Sequence, residues 1–220
     1  MLSKYFSDCK SCTHLKHHRD DKPRDDELDF ILLIDSHAHL DSDRYGAELP
    51  EILRRAKLAG VDAILAIGIG EGPAEMYHAL DICRQFNAPA PKGSVGSAGE
   101  GLPRLYASAG IYPHNAHEAD DAALAKLNSL LAEPEVIACG EIGLDYYHQG
   151  SPHETQKAIF IRQMEIAAAR KRPILIHCRP KDGDNTCWDD CLHLIEKHWA
   201  PTGIGFLATP CAASRSFGMS

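Results

Sequence analysis

Short apolar runs alternate with stretches of helical spacing along most of this chain, and that alternation restricts the possible folds more than any other feature. Residues 30–35 form an apolar run ending in a carboxylate, and residues 49–58 then space apolar side chains at helical intervals up to Gly60. Residues 61–69, rich in branched and small apolar groups, read as a second strand, and Pro73 stands at the first turn of a helix running to about residue 86. Residues 105–111, 136–142 and 173–177 are further strand-like segments, with helical patterns at about 121–131, 153–170 and 187–198. Residues 203–207 could open a sixth strand. Each crossover must return the chain to the same end of the sheet, so this alternation predicts a parallel α/β fold.

Five complete strand–helix units and a stub suit either an open doubly wound sheet or part of a TIM-type (β/α)8 barrel, and periodicity does not choose between them. Of 220 residues, about 30 form a polar leader and about 15 an insertion, which leans against a full barrel of ~250 residues. The leader, residues 1–29, alternates bases such as Lys4, Lys10 and Lys16 with acids and has no apolar stretch of a signal peptide, so it is expected to be disordered and not to export the chain. Residues 87–101, rich in Pro, Gly, Ser and Ala, read as a flexible insertion.

Composition narrows the function. At 44% hydrophobic and 25% charged, the chain is expected to be a soluble globular protein, and it lacks any run of ~18 apolar residues that would span a membrane. With 23 Lys and Arg against 31 Asp and Glu, the formal net charge is −8. Broad electrostatic capture of nucleic acid needs basic surface, so a polyanionic substrate would require local help such as bound metal ions. Eight cysteines are scattered, several inside apolar runs, which fits free thiols in a reducing cytoplasm.

The strongest chemical signal is Asp35-Ser36-His37-Ala38-His39-Leu40-Asp41, where an apolar strand runs into two histidines two residues apart. Side chains at i and i+2 of a strand share a face, so both imidazoles can converge on one divalent ion, with Asp35 and Asp41 as further ligands or acceptors. Two solvated loop histidines are the plainer alternative. Glu141 follows the apolar residues 136–140, and His177 follows Ile174-Leu175-Ile176. In parallel α/β folds the carboxyl ends of the strands open on one face, so His37, His39, Glu141 and His177 would approach one another there. Glu141 could bridge two ions, an arrangement suited to phosphodiester cleavage, or could serve as a helix cap or ion-pair partner. His114, after Gly110-Ile111-Tyr112-Pro113, and His117 are candidate substrate contacts or surface loop residues. Arg179 could hold a phosphate through its planar fork or cap a helix.

Other motifs lose their support on inspection. Gly68-Ile69-Gly70-Glu71-Gly72-Pro73 has Pro73 where a dinucleotide loop needs its third glycine. Cys178 followed by Arg179 suggests a phosphatase cysteine loop, but Asp184 stands where the loop's arginine belongs. Cys9 and Cys12, with His17 and His18, lack a second well-spaced ligand pair for structural zinc.

Taken together, the motifs around His37 and His39, Gly110–His114, Gly140–Tyr147 and Ile176–Arg179 resemble TatD-type metal-dependent deoxyribonucleases, relatives of the amidohydrolase-like barrels. Gln156, Phe160 and Gln163 resemble the family's Q-x3-F-x2-Q helix, and the likeness runs from about residue 33 to 205. The resemblance implies a barrel enzyme that cleaves phosphodiester bonds of DNA with two divalent ions (Mg, Mn or Zn). His37, His39, Glu141 and His177 would be metal ligands and Glu141 catalytic, while His114 and Arg179 stay, on the residue reading above, the candidates for binding substrate. It also implies a later histidine in a His-Cys-Phe segment and an aspartate near the end of an eighth strand, and neither is present after Gly205. Residues 206–220 are therefore read as a divergent tail, the hypothesis being a frameshift or premature end, and the barrel as incomplete, with five to six units and a tendency to self-associate. The alternatives are a metal-dependent phosphomonoesterase or amidohydrolase, or a non-catalytic metal-binding remnant.

Overall fold

The computed structural model of the protein describes residues 32–88 and 101–210. The leader, most of the expected insertion, residues 211–220 and the Cys9/Cys12 motif lie outside the described residues. Six strands, β1 (Leu33–Ala38), β2 (Val61–Ala66), β3 (Arg104–Ala109), β4 (Val136–Asp145), β5 (Ile174–Arg179) and β6 (Phe206–Pro210), form one parallel sheet. The helices between them are α1 (Leu49–Leu58), α2 (His78–Asn87), α3 (Asp121–Leu130), α4 (His153–Ala169) and α5 (Thr186–Leu194).

Strand order settles the choice that periodicity left open. A doubly wound sheet reverses its order at a switch point, whereas here the strands lie in sequence order from β1 to β6, the progression of a barrel wall. The sheet is a curled half-barrel, so the incomplete (β/α)8 reading holds and the doubly wound one does not. The outer edges of β1 and β6 pair with no other described strand. Leu33, Ile34, Phe206 and Leu207 on these edges are exposed.

Local chemistry explains the elements. In α1, Pro50 occupies the first turn, where its missing N–H costs nothing, and Gly60 follows the end at φ +93°. Asp120 caps α3 by accepting a 2.7 Å hydrogen bond from the Ala123 N–H. The buried residues of α4 are Gln156, Ile159, Phe160, Gln163, Met164 and Ala167, a single helical stripe laid on the sheet. Strand β4 is buried almost throughout because helices cover one face and the barrel interior the other. One large core lies between sheet and helices, and a small one of Leu65, Ile67, Ala138 and Leu175 lies on the opposite face.

Several boundaries differ from the sequence reading. β1 begins and ends three residues later than expected, so His37 lies within the strand. β4 extends to Asp145. The helix expected from Pro73 begins at His78, because the Glu75 and His78 N–H groups bond back only three residues, to Gly72 and Glu75, making tight turns instead. The helix expected to reach residue 198 gives way to a wider turn, Ile195–Trp199, that buries Trp199. The sixth strand expected to open at residues 203–207 runs Phe206–Pro210 in register with β5, so the segment read as a divergent tail begins inside a strand.

Candidate metal centre

The carboxyl ends of β1, β4 and β5 bring the sequence-predicted groups together. His37 Nε2 and His39 Nε2 stand 3.2 Å apart, their rings edge to face. His37 Nε2 lies 3.7 Å from Glu141 Oε2, and His177 Nδ1 lies 3.3 Å from Glu141 Oε1. Glu141 and His177 are buried, whereas His37 and His39 are partly open. The two oxygens of one carboxylate thus face imidazoles from two different strands, β1 and β5.

The backbone is built to allow this. Gly143, at φ +140°, sits level with His177 in the β4–β5 ladder, and a Cβ there would fall 2.1 Å from the His177 carbonyl oxygen. Only glycine lets the two strands approach at this point. The side chain of Gln156 closes on the last residue of β4, accepting from the Asp145 N–H at 2.8 Å and donating to the Asp145 and Ser151 carbonyls at 2.9 Å each. Gln163, one α4 stripe further on, holds Ile111 the same way, at 2.7 Å to its N–H and 3.0 Å to its carbonyl. Both glutamines of the motif are therefore buried backbone clamps that fix the mouths of β3 and β4.

Electrostatics separate the imidazoles. Burial is the largest influence on His37 and lowers its pKa, outweighing the opposite pull of Glu141, so the ring stays neutral and keeps a lone pair for a cation. Burial also works against charge on His177, but hydrogen bonds to Asp145 and Glu141 outweigh it and push its pKa up to about 9. The two carboxylates thus favour a proton on each nitrogen of His177, and a cation at Nδ1 would have to displace the one shared with Glu141. Asp145 is opposed by burial but held well below the usual carboxylate range by His177, the His148 N–H and the His148 ring.

Asp145 is the group the sequence reading passed over. It is fully buried, and its Oδ2 lies 3.1 Å from His177 Nε2, 3.0 Å from His114 Nε2 and 3.0 Å from His148 Nδ1. The signal was present: Glu141, Gly143 and Asp145 alternate along one strand, so the aspartate shares the face of the glutamate. Tyr112, whose hydroxyl lies 3.2 and 3.1 Å from the two His177 ring nitrogens, was likewise unmarked.

His114 sits in the turn Pro113–Glu118 after β3, beside this cluster. His117 turns away to Ser151, at 2.8 Å. Arg179 ends β5 with its guanidinium 4.0 Å above the Tyr147 ring, and its buried Nε has no hydrogen-bond partner. Cys178 is buried and its thiol pKa is raised, chiefly by hydrogen bonding with Cys187, so it is no nucleophile. Asp41 lines a cleft of about 620 Å³ with His39, Asp43, Arg44, Glu71 and Glu75. Burial raises the Asp41 pKa.

The donor set fits a divalent ion: two converging imidazole nitrogens and a carboxylate oxygen lie within 4.8 Å of one another. A parallel half-barrel with imidazoles and carboxylates gathered toward the carboxyl ends of its strands defines an α/β barrel with a candidate metal centre. The particular family follows from comparison: residues 34–207 match the family model described as TatD related DNase, and the chain belongs to that family. It is 30% identical over 153 residues to an uncharacterized metal-dependent hydrolase, YabD, of Bacillus subtilis, covering 70% of this chain and 53% of the relative. It is 31% identical over 147 residues to the 3'-5' ssDNA/RNA exonuclease TatD of Cronobacter turicensis, covering 67% and 49%. The chain spans about half the length of the curated relatives it matches. Among solved structures, a TatD family hydrolase of Entamoeba histolytica superposes with TM-score 0.63 at 22% identity, covering 80% of this chain and 56% of the other. YJJV, a TatD homolog of Escherichia coli, superposes with TM-score 0.60 at 23% identity, covering 76% and 56%. Among the described residues, no helix is long and apolar enough to cross a membrane.

Proposed function

We propose that this chain is a metal-dependent hydrolase that cleaves phosphodiester bonds of DNA. The observation that carries the reading is the convergence of His37, His39, Glu141 and His177 at one mouth of the half-barrel in a chain of the TatD related DNase family. The nuclease names of relatives such as the Cronobacter exonuclease agree with it.

His37 and His39 with one oxygen of Glu141 would hold one divalent ion, and the other oxygen with His177 a second, with Mg, Mn or Zn as candidates. Such ions neutralise charge on the phosphoryl group and activate water. The rest is the work of the chain. Asp145 accepts the Nε2–H of His177, which fixes the ring and turns Nδ1 toward Glu141. Arg179, its guanidinium over the Tyr147 ring, would offer its fork to a substrate phosphate, with His114 beside the Asp145 cluster as a further substrate contact. The neighbouring cleft carries four carboxylates and only Arg44 as a fixed cation, so a polyanion entering there depends on cations at the centre.

Buried free thiols at Cys83, Cys139, Cys178, Cys187 and Cys191 support a reducing, cytoplasmic setting, and the exposed apolar edges of β1 and β6 support self-association. The test is hydrolysis of single-stranded DNA with added Mg2+ or Mn2+ by the wild type and Glu141→Ala. Release of mononucleotides that ends in the variant supports the reading. Unchanged activity in the variant rejects the role of Glu141, and release of inorganic phosphate from a monoester without DNA cleavage replaces it with a phosphomonoesterase.

A further inference from the structure

We propose that His114, Asp145 and His148 form an additional divalent-metal site, distinct from the His37, His39, Glu141 and His177 centre. The three side chains come from the turn after β3, the last residue of β4 and the loop just beyond it. His114 Nε2 and His148 Nδ1 each lie 3.0 Å from Asp145 Oδ2, and the three atoms are within 4.8 Å of one another. Ligand atoms at about 2.1 Å from a tetrahedral ion stand about 3.4 Å apart, so a slight opening of this triangle accepts one.

The carboxylate is committed to such a role on its inner side. Oδ1 of Asp145 already accepts the Tyr147 and His148 backbone N–H groups, at 3.0 Å each. Oδ2 has two lone pairs in the carboxylate plane, yet three imidazole nitrogens crowd it at 3.0 to 3.1 Å. With His177 taking one lone pair, His114 and His148 are left to share the other. A single cation would satisfy both rings and the oxygen together, each ring carrying its proton on its other nitrogen.

The segments are also held for it. A Cβ on Gly150 would lie 2.7 Å from the His114 Cα, so glycine lets the loop bearing His148 close on the turn bearing His114. Ser151 Oγ fastens the two by donating to the His114 carbonyl at 2.7 Å. Asp145 is sealed in the interior, whereas the His114 and His148 side chains are 32% and 43% exposed, so one side of the site faces water. Two imidazoles and one carboxylate with an open position select Zn, Mn, Fe or Co over Mg or Ca. The assignment stands apart from the nucleolytic reading. If both hold, His114 serves the substrate phosphate through this ion.

Co2+ serves as the probe, titrated into the demetallated full-length chain and followed by visible absorption and bound-metal analysis. His148→Ala is expected to lower the bound cobalt by one ion per chain, while His37→Ala combined with His39→Ala keeps this site and its absorption. His148→Cys, which exchanges the donor atom, is expected to add a thiolate charge-transfer band in the near ultraviolet. Equal stoichiometry in the wild type and His148→Ala, or no thiolate band in His148→Cys, would overturn the site. Loss of DNA cleavage in Glu141→Ala with the His148-dependent cobalt retained separates this outcome from that of the principal centre.

Discussion

Replacing Gln156 by leucine keeps the volume of the buried side chain but removes three hydrogen bonds, to the Asp145 N–H, the Asp145 carbonyl and the Ser151 carbonyl. Because the position is only 1% exposed, water does not replace them. An orphaned buried group costs about 1 to 3 kcal/mol, and the donor is the most costly of the three, so a total of about 3 kcal/mol is expected. For a domain of this size that corresponds to a fall of about 6 to 12 °C in Tm. The assay is urea and thermal unfolding, with EDTA present so that metal does not contribute, monitored by the fluorescence of buried Trp199. A variant within about 0.5 kcal/mol of the wild type would refute the view that this amide is a backbone clamp.

Four further outcomes are expected. Asp145→Asn weakens the hold on His177 and, read by metal titration in a His148→Ala background that removes the additional site, lowers metal affinity of the His37, His39, Glu141 and His177 centre by about 10- to 100-fold. Gly143→Ala drives a methyl group into the His177 carbonyl and costs more than about 3 kcal/mol or yields no folded protein, checked by circular dichroism. Asp190 accepts from the Tyr146 hydroxyl at 2.7 Å, which depresses its pKa; its stabilisation is therefore present above the ordinary aspartate range and lost as pH falls through the folded value. Asp190→Asn should accordingly melt about 2 °C below the wild type at pH 7 and match it near pH 2, the side chain being partly exposed. Ile34→Lys on the open edge of β1 should leave the Tm unchanged within about 1 °C while reducing concentration-dependent association in light scattering.

The alternation of apolar runs and helical spacing was enough to locate every described strand and α-helix, because each segment buries a face whose period is written in its own residues. Winding was not legible, since doubly wound and barrel sheets use the same strand–helix unit and differ only in which strands become neighbours. His37 and His39 were legible as a pair because two-residue spacing keeps side chains on one side of an extended chain, although the strand itself ends at Ala38 and His39 follows it. Asp145 was overlooked although it lies two pleats beyond Glu141, because the expected strand stopped at Ile142. His148 was beyond reach of pattern reading: it meets Asp145 through a local turn after β4, and its approach to His114 depends on the close packing that Gly150 allows. The glutamines of α4 were recognisable as a motif, but their function as clamps depends on which backbone they face.

The contact between His37 and Glu141 spans β1 and β4, three inter-strand spacings apart, or about 14 Å in a flat sheet. Side-chain reach closes part of that distance and the bow of the wall the rest, leaving their tips 3.7 Å apart. A cation gripped there would behave as a strut across an arch whose two feet are not stitched together. Its affinity would then be set as much by the bending stiffness of the intervening strands as by the ligands, so a substitution in β2 or β3, far from any imidazole, could loosen the grip.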